Sequence, residues 1–135
     1  MTRQEVIDQA RTWLGTPFRH QGRLKGIGVD CVGLIIGVTK ELGLNQFDTK
    51  NYSRYPDVKM MGDLLAQHLE PIKESEALLG DVVWIKVNGN PQHLAMLTDK
   101  GIIHAHSIVG KCVETVLDKA TKRLIVGYFR IKGIE

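Results

Sequence analysis

The run Gly28-Val29-Asp30-Cys31-Val32-Gly33-Leu34-Ile35-Ile36-Gly37-Val38-Thr39-Lys40-Glu41-Leu42-Gly43 has the β-branched content of a strand and the punctuation of a helix. Asp30 offers an N-cap oxygen, Leu34, Ile35, Val38 and Leu42 recur at helical spacing, and Gly43 closes the run, which predicts a mostly buried helix. Gly33 and Gly37 lower helix propensity but let another backbone approach closely. Upstream, residues 15–29 hold four glycines, one proline and three basic side chains, a loop long enough in a small domain to be functional. Before it, Thr2-Arg3-Gln4-Glu5 reads as a capping box, and Val6, Ile7, Ala10, Trp13 and Leu14 predict a first amphipathic helix ended by Gly15 and Pro17.

Downstream, residues 44–56 read as a polar and aromatic loop, and Val58, Met61, Leu64, Leu65 and Leu69 as a third, short helix ending near Pro71. From Gly80 the apolar period changes. Short β-rich runs at 81–87, 94–99, 102–107, 111–117 and 124–132 are separated by Asn-Gly-Asn-Pro, Lys-Gly, Val-Gly and a Lys-rich turn. Helices followed by an antiparallel meander of about five strands is an α+β pattern, expected to form one domain over 1–135.

The 135 residues carry 18 Lys+Arg and 15 Asp+Glu, a net charge of +3. The basic side chains are dispersed along the chain, so no nucleic-acid face is expected. The longest uncharged apolar stretch, Cys31 to Thr39, is too short to span a bilayer, and the N-terminus turns amphipathic at once, so neither an integral membrane segment nor a signal peptide is expected. Two cysteines make no disulfide framework.

Cys31 falls in the first turn of its helix, facing a glycine-rich basic loop, where the dipole and free N–H groups favour thiolate and should lower its pKa. That is a nucleophile's position. Cys112 lies inside a predicted strand and reads as structural. A nucleophilic thiol needs a base, and imidazole suits neutral pH. His93 follows the turn containing Pro91, His104 and His106 share one face of the next strand, His20 lies in the loop before Cys31, and His68 reads as solvated. His93 and His104 could share a face of a hairpin, with a third polar group fixing the base's tautomer. Cys31, His93, His104 and His106 could instead hold a tetrahedral zinc, but short paired ligand spacing is missing, and no metal or cofactor is expected.

Trp13-Leu14-Gly15-Thr16-Pro17-Phe18-Arg19 and Gly28-Val29-Asp30-Cys31-Val32-Gly33-Leu34 resemble the catalytic N-terminal half of NlpC-type bacterial cell-wall cysteine peptidases. Leu79-Gly80-Asp81-Val82-Val83, His93-Leu94-Ala95-Met96, Ile103-His104-Ala105 and Gly127-Tyr128-Phe129-Arg130 match that family in order over nearly the whole chain. The resemblance implies a papain-like fold, with the Cys31 helix packed on the sheet bearing His93 and His104. It implies hydrolysis of an amide bond in peptidoglycan stem peptides, typically D-γ-glutamyl to diaminopimelate. Cys31 carries over as nucleophile, His93 as base and acid, and His104 as its orienting group, with Phe18, His20 and Asp30 at the substrate. Many relatives have tyrosine where this chain has Phe18, so His20 is expected to supply the missing hydrogen bond, and the Cys31 N–H is the natural oxyanion donor. The Arg19-His20-Gln21 loop looks most like a phage-tail and gene-transfer-agent branch, implying synthesis in the cytoplasm, tail-tip partners and a place in a virion; a catalytically weak tail adaptor is the competing reading.

Overall fold

The computed structural model describes residues 1–44, 48–50, 52–53 and 57–135. Of the loop expected over 44–56, residues 45–47, 51 and 54–56 lie outside the described residues. At the N-terminus the reciprocal cap forms: the Thr2 hydroxyl accepts from the Glu5 N–H, and the Glu5 carboxylate from the Thr2 N–H. It starts α1 (Arg3–Arg11), which buries Val6, Ile7 and Ala10. The helix ends three residues short of Leu14, because the chain turns over 12–15 to bury Trp13 from outside the helix. The indole N–H donates to the Glu41 carboxylate at 2.7 Å, and the Lys25 ammonium lies 5.4 Å from the ring centroid.

The run quoted above is helical: α2 (Cys31–Glu41) begins at Asp30, whose extended backbone and side chain cap the Gly33 N–H at 2.7 Å. Its two glycines do different work. A Cβ on Gly33 would strike the Gly22 carbonyl, the close backbone approach anticipated, whereas one on Gly37 would strike the Trp13 ring. Gly37→Ala is therefore expected to destabilise the protein by about 1–3 kcal/mol through overpacking. Urea unfolding measures this, and an unchanged midpoint would refute the packing argument.

The third helix, α3 (Val58–His68), is capped by Asp57. It stops earlier than expected, because Leu69 leaves helical geometry and the chain enters a strand containing Pro71. This strand lies at the sheet edge, where proline's missing N–H leaves no ladder bond unmade. Within the 15–29 loop, β1 (Arg23–Leu24) and β2 (Gly28–Val29) form a small hairpin that local sequence did not announce. The main sheet contains β3 (Leu69–Ile72), β4 (Val82–Val87), β5 (Asn90–Thr98), β6 (Gly101–His106), β7 (Lys111–Thr115) and β8 (Ile125–Ile131). Its order is β3-β8-β4-β5-β6-β7, with every neighbouring pair antiparallel. Among the described residues the main sheet thus has six strands rather than about five, the addition being β3. The Lys-rich turn before β8 is a short helix, α4 (Lys119–Arg123), capped by Asp118.

One sheet face carries Val82, Leu94, Met96, Ile103 and Ala105 into a core shared with the first three helices. Val83, Ile85, Ala95 and Ile102 form a second cluster with Leu117, Ile125 and Tyr128. Asp81, fully buried, ties α1 to β8 by accepting from Arg3 at 3.0 Å and Arg130 at 2.9 Å. None of the helices among the described residues is long and apolar enough to cross a membrane.

Candidate active site

Asp30 does more than cap α2. Its carboxylate also accepts from the Gln21 N–H and the Tyr52 hydroxyl, both at 2.7 Å, and pairs with Arg23 at 3.3 Å. Arg23 in turn donates to the Tyr52 oxygen at 2.9 Å. Gln21 adopts a positive φ of 59° to aim its N–H at Asp30, an arrangement costly for a non-glycine residue and held here by the surrounding bonds. This buried hub fixes the 15–29 loop against the start of α2 and so sets the walls around Cys31.

Cys31, His93, Phe18, His20, Asp30 and Tyr52 line one cavity of about 310 Å³. The Phe18 N–H donates to the Gly110 carbonyl at 2.8 Å, which pins the loop to the β6–β7 turn. His20 Nδ1 lies 3.9 Å from Asp30, and its ring stands edge-on to Tyr52 with centroids 5.7 Å apart. Ser107 from the β6–β7 turn lines the same cavity.

His93 owes its direction to a register irregularity. Ile85 pairs with His93 but Lys86 pairs with Pro91, so Gln92 is an extra residue on β5. Such a bulge bends its strand and re-aims side chains next to it. The Gln92 carbonyl accepts from the Cys31 thiol at 3.9 Å. Beyond the bulge the β5–β6 ladder pairs Met96 with Ile103 and Thr98 with Gly101, a tight turn through Asp99 and Lys100.

His93 Nε2 and His104 Nδ1 are 2.7 Å apart, and His104 Nε2 is 3.1 Å from the Thr115 hydroxyl. The two imidazoles do share one face, as the hairpin argument anticipated. With Nε2 engaged, Nδ1 is the nitrogen left to His93. If His93 donates to His104 and His104 to Thr115, that Nδ1 is an unprotonated base.

The charge state of the thiol departs from the sequence expectation. Burial pushes the Cys31 thiol up to about 12, and the Asp30 carboxylate adds to the rise. The N–H groups of Leu94, Val32 and Cys31 pull the other way, as the helix-terminus argument requires, but burial outweighs them. His93 is pushed down to about 3 by burial and then by His104 and His106, and His104 to about 4 by burial and then by His106. At neutral pH the free protein thus holds a neutral thiol beside neutral imidazoles. Alkylation of Cys31 by iodoacetamide should keep rising with pH beyond 9, measured by intact mass; a plateau below pH 7 would contradict the assigned burial.

Cys112 is buried in β7 and free, as read. His68, read as solvated, is partly buried, and burial and then Lys132 lower its pKa. Among the described residues no group of three or more His, Cys, Asp or Glu is arranged to hold a metal ion. Sequence reasoning missed Arg23, Tyr52, Gln92 and Thr115. Arg23 and Tyr52 had only the weak signal of polar and aromatic residues in long loops, and the other two had none.

Comparison with solved structures gives the fold independently. A Bacillus cereus protein described as an NlpC/P60 family member superposes with a TM-score of 0.71 at 18% identity, covering 96% of this chain and 40% of that one. RipB, a peptidoglycan hydrolase of Mycobacterium tuberculosis, gives 0.62 at 22% identity over 96% of this chain and 64% of its own. RipD, from the same organism and described as a non-catalytic NlpC/p60 domain protein adapted to peptidoglycan binding, gives 0.60 at 17% identity, covering 97% and 96%. The chain therefore spans only about two fifths of the Bacillus protein. No curated protein matches it. Residues 15–127, which run from the loop before Cys31 through the sheet bearing His93 and His104, match the NlpC/P60 family, and the chain, with its papain-like α+β fold, belongs to that family.

Proposed function

We propose that the chain is a cysteine peptidase that hydrolyses an amide bond in peptidoglycan stem peptides, with the D-γ-glutamyl to diaminopimelate bond as its substrate. The observation that carries this reading is a thiol at a helix N-terminus sharing a cavity with an imidazole whose far nitrogen is held at 2.7 Å by a second imidazole. His93 Nδ1 takes the proton from Cys31 Sγ as sulfur attacks the scissile carbonyl carbon. Because the free groups are neutral, proton transfer accompanies attack rather than preceding it. The oxyanion is met by the Cys31 N–H and by His20, which stands in for the hydroxyl absent at Phe18. The imidazolium of His93, oriented by His104, then protonates the leaving amine, and a thioester remains on Cys31. Water, deprotonated by His93, attacks the thioester and releases the new carboxylate and the thiol. Incubation with sacculi of defined stem-peptide composition, followed by mass spectrometry of released fragments, tests the reading. Fragments cleaved at another bond would correct the substrate, and intact sacculi would reject the reading.

The raised thiol, bonded to Gln92 rather than poised as thiolate, favours a second reading: a wall-binding or adaptor domain of low activity. Pull-down with sacculi without peptide release would support it. We further read the particle to which such a domain is delivered as a phage or phage-like tail, on the strength of the Arg19-His20-Gln21 loop. Recovery of the chain from purified tails checks this, and recovery only from particle-free fractions rejects it.

A further inference from the structure

The β5 bulge that aims His93 is poorly placed to be held by main chain alone. Pro91, the residue leading into it, has no N–H, so only its carbonyl can fix its backbone by a hydrogen bond. The neighbouring strand β4 is irregular on both sides. Besides Gln92 on β5, Val126 is an extra residue on β8, since Trp84 pairs with Gly127 but Ile85 with Ile125. Bulges of this kind leave a residue unpaired and disrupt the ladder beside them.

A side chain braces this weakened stretch. The Trp84 indole N–H donates to the Pro91 carbonyl at 2.8 Å. That bond fixes the Pro91–Gln92 peptide, and the next peptide carries the Gln92 carbonyl that accepts from the Cys31 thiol and leads into His93. The cross-strand partner of Trp84 on β8 is Gly127, where a Cβ would come within 3.4 Å of the indole and 3.0 Å of the Phe129 ring. The bare glycine leaves room for both rings, whose centroids are 6.4 Å apart. Trp84 does not line the Cys31 cavity, so its effect on the site runs through the bulge.

We propose that Trp84 is a positioning residue, whose indole N–H fixes the β5 bulge and through it the direction of the His93 imidazole. The effect on turnover rests on the hydrolase reading, whereas the spectroscopic test does not need it. Trp84→Phe keeps a ring over Gly127 and removes the donor, and Phe129→Leu thins the packing of the same indole and keeps the donor. By nitrogen NMR, His93 should hold one tautomer in the native protein, because its Nε2 lies 2.7 Å from His104 Nδ1. In Trp84→Phe its ring shifts should move towards the average of the two tautomers, and in Phe129→Leu they should stay native. On stem peptides kcat should fall about fivefold to tenfold in Trp84→Phe, the effect of one lost hydrogen bond, with KM within about twofold of native. The Trp84 indole proton gives a check that needs no variant: bonded as described, it should exchange with solvent at least about tenfold more slowly than free indole.

A native tautomer in Trp84→Phe, averaging to the same extent in Phe129→Leu or in the native protein, or indole exchange at the free rate each overturn the proposal. If His93 averages in Trp84→Phe alone while the native protein cleaves no peptide, the positioning role stands and the hydrolase reading falls. If the native protein cleaves peptide and Trp84→Phe does so with native kcat, the hydrolase reading stands and the positioning role falls.

Discussion

Cys31→Ala should abolish release of stem-peptide fragments from purified sacculi, a loss of about a thousandfold or more, while circular dichroism and the unfolding midpoint stay close to native. The side chain removed lines the cavity and caps nothing, since the α2 cap is made by Asp30. The bond that its thiol donates, to the Gln92 carbonyl, is long and weak. Cys112→Ala is the opposite case. That thiol is 1% exposed, so its removal should cost about 1 kcal/mol or more of stability and little activity. Fragment release by the Cys31 variant at the native rate would sink the assignment. Full loss in both variants would point to a folding defect, which the unfolding midpoint detects.

Asp30→Ala has the largest expected effect on stability. The substitution removes the α2 cap and leaves the Gln21 N–H and the Tyr52 hydroxyl without their acceptor, besides removing one carboxylate partner of Arg23. Loss of a cap costs about 1 kcal/mol, and breaking a buried ion pair from one side costs about 3–5 kcal/mol. Arg23 retains Asp48 and the Thr49 carbonyl, so the low end applies, a total of about 3–4 kcal/mol. For a domain of this size that lowers Tm by about 10 °C or more. Asp30→Asn, which keeps a cap acceptor, should lose distinctly less. Equal melting of the native and alanine proteins would show that the hub contributes no stability. Asp30 lines the cavity, and its oxygens are already bonded within the protein, so a role at substrate would be exercised through the loop that it holds.

Both experiments bear on the balance between hydrolase and adaptor. The site has a shared cavity and an oriented base, yet the thiol is pushed up to about 12. Substrate that displaces the Gln92 contact and brings an electrophile to sulfur relieves part of that cost, because charge then forms on the oxyanion rather than on a buried thiolate.

What the sequence determined by itself was whatever depends on neighbours a few residues apart. The Thr2–Glu5 box, the Asp30 cap and the change of period at Gly80 each act within one turn or one strand, so α1, α2, α3 and strands β4 to β8 were legible with small errors at their ends. That His104 and His106 share a face was legible for the same reason, since strand alternation is a local property, whereas whether His93 on the neighbouring strand joins His104 depends on register. The tertiary structure decided the rest. Strand β3 exists because residues 69–72 find β8 some sixty positions later, and no local pattern reports that pairing. The bulge at Gln92 depends on how β5 meets β4, and it turns His93 toward the cavity. Tyr52 becomes part of the site only when its hydroxyl reaches Asp30. Above all, a helix N-terminus favours thiolate in any sequence, but how much water the thiol keeps is set by the walls that fold around it, and here burial reverses the sign of the shift.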